Sequence, residues 1–266
     1  MAMKKLIAPT AVLATLSLSL FGITPATSFE QTVDNEKLEE IVSSQTLNEA
    51  PLENQYELPK GQNRSIELDS SDVSVNVDVD SSALQTNIFV REDGKQIVTQ
   101  SNKSELLSFS YEFPGSYLRE VEGYILVSSE YYGEPELIID PAWSVDEMGN
   151  NIETHYEING DTLVQVVDAR NAVGTVVSDP YIRDAYTRGG HKMGQDLVFT
   201  QKDLIGMTTG AGACQLINKI PGPWKKACGA VAVIAGDAMM RNKCVALRMI
   251  GFDYGPNIPF ALYVEC

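Results

Sequence analysis

Hydrophobic and polar residues alternate with a period of two through much of the middle of the chain. In the segment SVNVDVD, Val75, Val77 and Val79 fall on one face and polar residues fall on the other. This pattern is typical of a half-buried antiparallel strand. Similar short strands are predicted at residues 86–90, 96–99, 106–113, 123–128 and 136–140. With the turn residues between them, they predict an all-β, sandwich-like module over residues 65–182.

The strongest local signal is a β-hairpin in THYEINGDTLVQVVD. Asn159 and Gly160 separate two runs that are rich in β-branched and aromatic residues. Asn-Gly suits a type I′ turn, because both central residues of that turn need positive φ. We therefore predict a tight hairpin with Asn159 and Gly160 at its tip.

The hydrophobic pattern changes over residues 204–244, which are apolar, rich in small residues and nearly free of acids. Two apolar segments, 204–220 and 227–240, meet at Pro221-Gly222-Pro223. Proline is favoured at the first position of a helix, where Pro223 would lie. We predict a helical hairpin here, followed by a β-hairpin of 245–250 with 259–264. The fold class is thus α+β and multi-part, with a small disulfide-stapled domain at 203–266.

Four cysteines, Cys214, Cys228, Cys244 and Cys266, lie in this predicted domain. The first two are equidistant from the Pro-Gly-Pro turn, and the last two are equidistant from the turn DYGPN. An antiparallel hairpin brings equidistant residues together. The spacing therefore predicts the disulfides Cys214–Cys228 and Cys244–Cys266.

The N-terminus has the features of a secretory signal peptide. Two lysines precede an apolar run, and small residues precede Phe29, so we expect residues 1–28 to be removed after Ser28. Secretion predicts an extracellular location, in which four cysteines form disulfides rather than a metal site. We expect an acidic flexible linker at 29–64 and a second linker at 183–202, with Arg183 and Arg188 as candidate processing sites.

The charge is unevenly divided along the chain. The whole sequence carries a net charge of −16, with 31 acidic and 10 basic residues at 30–190 but 5 acidic and 8 basic residues at 191–266. Acidic proteins are repelled by phosphate backbones, so nucleic acid is excluded as a partner. The sequence contains no known catalytic motif, and its two histidines, His155 and His191, stand in no catalytic pattern. We expect neither an enzyme nor a bound cofactor or metal.

The run IIDPAWSVDEMGNNIETHYEINGDTLVQVVD, followed by GTVVSDPYI, resembles a module of secreted proteins from Gram-positive bacteria, notably actinobacteria. The resemblance covers about residues 85–181. The tail is similar to small C-terminal regions in which a cysteine, a Pro-x-Pro turn, Cys-Gly, an aspartate and two later cysteines recur. The resemblance implies a secreted protein with this two-part layout, and it implies little about mechanism.

Two interpretations of the apolar stretch remain open. In one, its helices form the core of the small domain. In the other, they contact membranes: Gly206 and Gly210 form a GxxxG motif, and cations flank the second helix. The candidate membrane-contact residues are Trp224, Lys225, Lys226, Arg241 and Lys243. Fourteen apolar residues make about 21 Å of helix, which is too short for one membrane span.

The sequence therefore favours a secreted, bacteriocin-like or toxin-like antimicrobial protein. Its weakly cationic C-terminal domain would act on anionic target-cell membranes, and its acidic β module would carry or restrain that domain. An immunity protein is an expected partner of such a toxin. The alternative is a non-catalytic protein that binds the cell envelope or carbohydrate through the acidic β module.

Overall fold

The chain forms three antiparallel β-sheets and four helices within the residues that the computed structural model describes. These residues are 32–45, 50–59, 64–67, 73–78, 83–102, 106–186, 190–193, 195–219, 224, 228–253, 255 and 257–266. The predicted signal peptide with Ser28, the Pro-Gly-Pro turn, Arg188, Lys225 and Lys226 lie outside them.

The secondary structure is dominated by strands. The helices are α1 (Asn35–Gln45), α2 (Gln201–Leu204), α3 (Gly210–Ile217) and α4 (Cys228–Met240). The strands are β1 (Leu52–Leu58), β2 (Arg64–Glu67), β3 (Ser74–Asp78), β4 (Ala83–Arg91), β5 (Gly94–Ser101), β6 (Leu107–Glu112), β7 (Tyr117–Val121), β8 (Tyr124–Ser128), β9 (Leu137–Ile139), β10 (Ser144–Asp146), β11 (Thr154–Asn159), β12 (Thr162–Val167), β13 (Val176–Ser178), β14 (Tyr181–Asp184), β15 (Gly190–Lys192), β16 (Leu197–Phe199), β17 (Cys244–Phe252) and β18 (Asn257–Val264).

Strands β1 to β14, here called the β module, form two sheets. Sheet A has the order β1-β4-β5-β14-β9-β8-β7, with β13 also beside β5 and β10 beside β13. Sheet B has the order β11-β12-β6-β3-β2. Side chains from both sheets form one hydrophobic cluster that includes Val75, Phe109, Ile125 and Leu163. The strand-rich antiparallel character predicted from the sequence is confirmed.

The predicted hairpin is confirmed, but its turn is shifted by one residue. Strands β11 and β12 pair so that Asn159 lies opposite Thr162. The two-residue loop is therefore Gly160-Asp161, and Gly160 has a φ of 68°. Glycine at the first loop position, with positive φ there alone, suits a type II′ turn rather than type I′. The apolar side chains that pair across the two strands fix the register of the hairpin. That register then determines which two residues form the turn.

Strands β8 and β9 are buried on both faces. Ile125 and Val127 point into the cluster shared with sheet B, whereas Leu126 and Ile138 point to the opposite side of sheet A. Their sequences, YILVS and LII, are continuous apolar runs, which is the pattern of a strand covered on both sides. Sheet A is therefore an inner layer of the fold.

The described residues of the predicted N-terminal linker form packed structure. Helix α1 packs Leu38 and Val42, both fully buried, against Phe89 and Val98 on the outer face of sheet A. Val33 also donates its backbone N–H to the side chain of Gln100 at 2.8 Å, and β1 pairs with β4. The linker prediction was wrong for these residues, because a narrow apolar stripe on α1 packs against sheet A.

The C-terminal domain comprises sheet C and helices α2 to α4, residues 190–266. In sheet C, β17 pairs with β18 on one side and with β15 and β16 on the other. The second predicted linker, 183–202, is also wrong, because it contains β15, β16 and the end of β14. The strands in this segment are short and lie between glycines and charged residues, so the sequence there shows little hydrophobic periodicity.

The β17–β18 hairpin uses alternate residues to bury both of its faces. Ile250 and Phe260 pack with Leu126 and Ile138 of sheet A. Leu247 and other residues of the opposite face pack under the three C-terminal helices. Because strand side chains alternate, one hairpin joins the helices to the β module.

The predicted helical hairpin is confirmed in part. The first segment is two short helices, α2 and α3, with a turn at 205–207. Gly206 lies in that turn, so it and Gly210 do not form a GxxxG face on one helix. Thr209 caps α3 by accepting a hydrogen bond from the Gly212 N–H at 3.1 Å. A side chain at Gly212 would collide with the Gly206 carbonyl.

Both predicted disulfides are present. Cys214 and Cys228 join α3 to the start of α4, with their Cα atoms 4.8 Å apart. Cys244 and Cys266 join the open end of the β17–β18 hairpin, with Cα atoms 5.0 Å apart. Disulfides of this kind are typical of extracellular proteins. Spacing about a turn was sufficient to predict them.

We expect Phe260→Ala to destabilise the whole chain, because the ring is fully buried between sheets A and C. Truncating a buried phenylalanine costs about 3–5 kcal/mol of unfolding free energy. Val233→Ala is the matched control, since Val233 is 71% exposed and its truncation should cost less than about 0.5 kcal/mol. Urea denaturation measures both, and a loss below about 1 kcal/mol for Phe260→Ala contradicts the tight packing.

Candidate functional site

Helix α4 has one buried face and one exposed face, and both are apolar. Val231, Ile234, Ala235 and Ala238 are buried against the rest of the C-terminal domain. On the opposite face, Val233 is 71% exposed and Met240 is 82% exposed. The core interpretation of this helix is therefore right for its inner face. Its outer face leaves apolar side chains in contact with solvent.

The other C-terminal helices also leave apolar side chains exposed. Ile205, beside α2, is 64% exposed, and Leu216 of α3 is 38% exposed. We call Ile205, Leu216, Val233 and Met240 the helical face. No helix in the described part of the chain combines the length and apolarity that crossing a membrane requires.

A group of tyrosines lies where α4 meets the β module. The ring of Tyr131 makes edge contacts with Tyr117 and Tyr132, at centroid distances of 5.8 and 4.5 Å. Tyr132 in turn lies 5.3 Å from Tyr263 of β18. The guanidinium of Arg241, which follows α4, lies 5.6 Å from the Tyr131 ring. We call Tyr117, Tyr131, Tyr132, Tyr263 and Arg241 the junction patch.

The backbone and a half-buried arginine hold Tyr132 in this patch. Tyr132 has a φ of 55°, a conformation that a bulky residue adopts only when its surroundings require it. Arg119 stacks over the ring at 4.7 Å and donates to the Ala261 carbonyl at 2.6 Å. Burial lowers the pKa of Arg119 to about 10, so it is charged at neutral pH. The Tyr132 ring is thus held in place and supports the more exposed ring of Tyr131.

Asp237 connects α4 to the junction patch. Its carboxylate accepts hydrogen bonds from the Tyr263 hydroxyl at 2.5 Å and from Arg241 Nε at 2.6 Å. These two bonds, the Tyr263 bond first, lower the pKa of Asp237. The carboxylate therefore stays charged and orients Arg241 across the Tyr131 ring. The patch combines aromatic rings with one oriented cation.

Three of the five predicted membrane-contact residues are described, and they differ in exposure. Trp224 is half-buried against the C-terminal core. The side chain of Arg241 is 53% exposed, and that of Lys243 is 38% exposed and paired with Glu265. Of the three, Arg241 alone belongs to the junction patch. Tyr117 and Tyr131 were not predicted, although the pair Tyr131-Tyr132 in a turn was a visible signal.

Arg183, predicted as a processing site, is buried and bound. Its side chain is 2% exposed and lies in β14, over the ring of Tyr181 at 4.2 Å. It pairs with Asp93 at 2.5 Å and donates to both oxygens of Asp140, at 3.0 and 2.8 Å. The pKa of Arg183 is raised, because these carboxylates outweigh the effect of burial. A protease cannot reach this residue in the folded chain, so the prediction was wrong.

Arg248 of β17 fixes the C-terminal domain to the β module. It makes two hydrogen bonds to Asp196, at 3.0 and 2.8 Å, and one to the hydroxyl of Tyr186 at 3.3 Å. It also pairs with Glu134. The bond from Arg248 lowers the pKa of Asp196, and Lys192 contributes in the same direction. The ion pair therefore persists in mildly acidic solution.

No family model matches the chain, and a search of the curated proteins found no match either. The resemblance to secreted actinobacterial proteins therefore remains a prediction. The described residues also contain no cluster of three or more His, Cys, Asp or Glu side chains that could hold a metal ion.

Limited digestion with trypsin tests the burial of Arg183. We expect the folded chain to resist cleavage after Arg183 and to be cut earlier after Arg170, whose side chain is 68% exposed in a loop. Mass spectrometry identifies the fragments. A fragment that begins at Asp184 and accumulates as fast as one that begins at Asn171 would contradict this placement.

We expect Asp196→Asn to make the chain less stable at neutral pH, by about 1–2 kcal/mol, because a charged bond to Arg248 is lost. The pKa of Asp196 is lower in the folded chain than in the unfolded chain. Its contribution is therefore complete above the unfolded pKa of about 4 and disappears as the pH falls through the folded pKa. Urea denaturation at several pH values should show the wild-type advantage shrinking in acid, and a constant difference would contradict the assignment.

Proposed function

We propose that this chain is a secreted, bacteriocin-like protein that binds anionic target-cell membrane surfaces through the helical face and the junction patch. The observation that carries the proposal is the exposure of Val233 and Met240, 71% and 82%, beside Arg241 and Tyr131. Apolar side chains that enter the boundary between lipid headgroups and acyl chains gain free energy from leaving water.

The composition of this surface matches the chemistry of a membrane interface. Tyrosine is favoured at the headgroup level, where its ring meets apolar groups and its hydroxyl meets water. Tyr117 and Tyr131 are 49% and 47% exposed, so both rings are accessible. Arg241 places a cation beside them, and cations are attracted to anionic lipids by about 1 kcal/mol each near the surface.

The charge division would orient the protein at such a membrane. Residues 191–266 hold more basic than acidic residues, 8 against 5, whereas 30–190 hold 31 acidic and 10 basic residues. An anionic surface attracts the first part and repels the second. Most of the sandwich-like β module would therefore point away from the membrane, while the helical face and the edge of the module that carries Tyr117 and Tyr131 point towards it.

The intact chain, rather than a released tail, is the active form in this proposal. The β17–β18 hairpin buries Ile250, Phe252 and Phe260 against the β module. Separating the two parts would expose these side chains to water, at about 1.5–3 kcal/mol for each. The β module thus carries the C-terminal domain as part of one fold. An immunity protein in the producing cell would then recognise the same exposed surface.

Vesicle sedimentation with the full chain tests the proposal. We expect binding to phosphatidylglycerol vesicles and much weaker binding to phosphatidylcholine vesicles, because the exposed cations favour anionic lipid. Replacing both Val233 and Met240 with serine should weaken binding about tenfold or more, since about 1.4 kcal/mol of apolar contact is lost. The double variant Lys225→Glu with Lys226→Glu should weaken binding to phosphatidylglycerol vesicles and leave binding to phosphatidylcholine vesicles unchanged.

The matched control replaces Met148 and Val173 with serine. These residues of the β module are 71% and 54% exposed and lie outside the helical face, so binding should not change. Equal loss in both double variants, or no binding of the wild-type chain to either vesicle, contradicts the proposal. Dye release from the bound phosphatidylglycerol vesicles then shows whether binding also permeabilises the membrane.

A further inference from the structure

A cleft opens in the β module between the edges of sheets A and B. The β7–β8 hairpin of sheet A forms one wall, and β11, the edge strand of sheet B, forms the other. Its volume is about 410 Å³, within the range of sites for small molecules. It is lined by Glu120, Gly123, Ile125, Pro141, Ala142, Thr154, His155 and Tyr156.

We propose that this cleft binds a neutral saccharide unit of a cell-envelope glycan. A pyranose ring has an apolar face of C–H groups and an edge of hydroxyls that both donate and accept hydrogen bonds. The cleft offers the same two kinds of surface in one place. This assignment is independent of membrane binding by the helical face.

The apolar part of the cleft comes from both walls. Pro141 and Ala142 provide aliphatic carbon, and the half-buried Tyr156 provides an aromatic ring. The hydroxyl of Tyr156 is buried, so the ring carbons are what this residue presents to the cleft. Aromatic carbon packs well on the C–H face of a sugar, and such contacts exclude water without requiring charge.

The polar part of the cleft suits hydroxyl groups. Glu120 is an exposed side chain on the sheet A wall, and Thr154 lies on the sheet B wall, on the same face of β11 as Tyr156. The Thr154 hydroxyl donates to the Val166 carbonyl at 2.9 Å and accepts a long bond from Gln165 Nε2 at 3.4 Å, which leaves one acceptor position on its oxygen. A ligand that donates hydrogen bonds at two positions can use both groups.

The charge of the lining selects against acidic sugars. Glu120 contributes a carboxylate, and no lysine or arginine is among the eight lining residues. A uronic acid or a phosphorylated sugar would bring another anion to this carboxylate, so we infer that the unit recognised is neutral.

Strand β7 carries one residue of the junction patch and one residue of this cleft. Tyr117 begins the strand in the patch, and Glu120 lies three residues further on at the cleft. Three residues of strand span about 10 Å. A chain bound at a membrane through the patch therefore holds the cleft close to glycans attached at the same surface.

Titration calorimetry of the full chain with neutral trisaccharides, maltotriose, cellotriose and chitotriose, tests the proposal. We expect at least one of them to bind, with an affinity in the millimolar range or tighter, and galacturonic acid trimer to bind about tenfold more weakly. Ala142→Trp fills the cleft and should remove binding. Glu120→Gln should weaken binding about threefold to tenfold, because a strong acceptor is lost.

The matched control for the carboxylate is Glu122→Gln, in the same hairpin but outside the cleft lining, which should bind as the wild type does. Circular dichroism confirms that each variant is folded. Failure of all three trisaccharides to bind at about 10 mM overturns the proposal, as does unchanged binding by folded Ala142→Trp or tighter binding of the acidic trimer. Ala142→Trp should still bind phosphatidylglycerol vesicles, so this result and the failure of membrane binding are distinguishable.

Discussion

Burial of both faces of the β17–β18 hairpin is the constraint on which the rest of the structure depends. One set of alternate residues, including Phe260 and Ile250, covers sheet A, and the other set, including Leu247, covers the C-terminal helices. Without the hairpin, Leu126 and Ile138 of sheet A and the inner face of α4 would all be exposed. The hairpin is therefore the shared core layer of two regions that differ in sequence character. Its disulfide and the contacts of Arg248 hold it in that place.

Local sequence patterns predicted the features of the structure that local interactions determine. The alternation of apolar residues indicated the strands, and the spacing of cysteines about two turns indicated both disulfides. The same reasoning failed where burial depends on distant partners. Arg183 reads as a polar residue before a glycine-rich segment, and no local pattern shows that Asp93 and Asp140 surround it. Similarly, nothing local showed that the apolar stripe of α1 packs against Phe89 and Val98 of sheet A.

The junction patch could not be predicted for the same reason. Its members come from β7, from the turn at Tyr131-Tyr132, from the end of α4 and from β18, which lie far apart in sequence. Tertiary packing brings them together, and the pairing of Tyr263 with the backbone of Tyr132 at 2.9 Å fixes the contact. A surface assembled in this way exists in the folded whole and is lost when the domains separate. The β module and the C-terminal domain therefore contribute jointly to this surface.

The apolar stretch that set the C-terminal region apart in sequence has two roles in one helix. A short helix whose every face is apolar would be fully buried in a larger core, but the C-terminal domain has too few elements to surround α4. Sheet C covers one face, and the exposed Val233 and Met240 remain on the other. Exposed apolar residues, here beside tyrosine and arginine, lower the solubility of a protein. The net negative charge of the β module counteracts this effect. The charge division and the exposed helix are thus parts of one physical arrangement, in which most of the negative charge lies in the β module and the exposed apolar helix lies in the C-terminal domain.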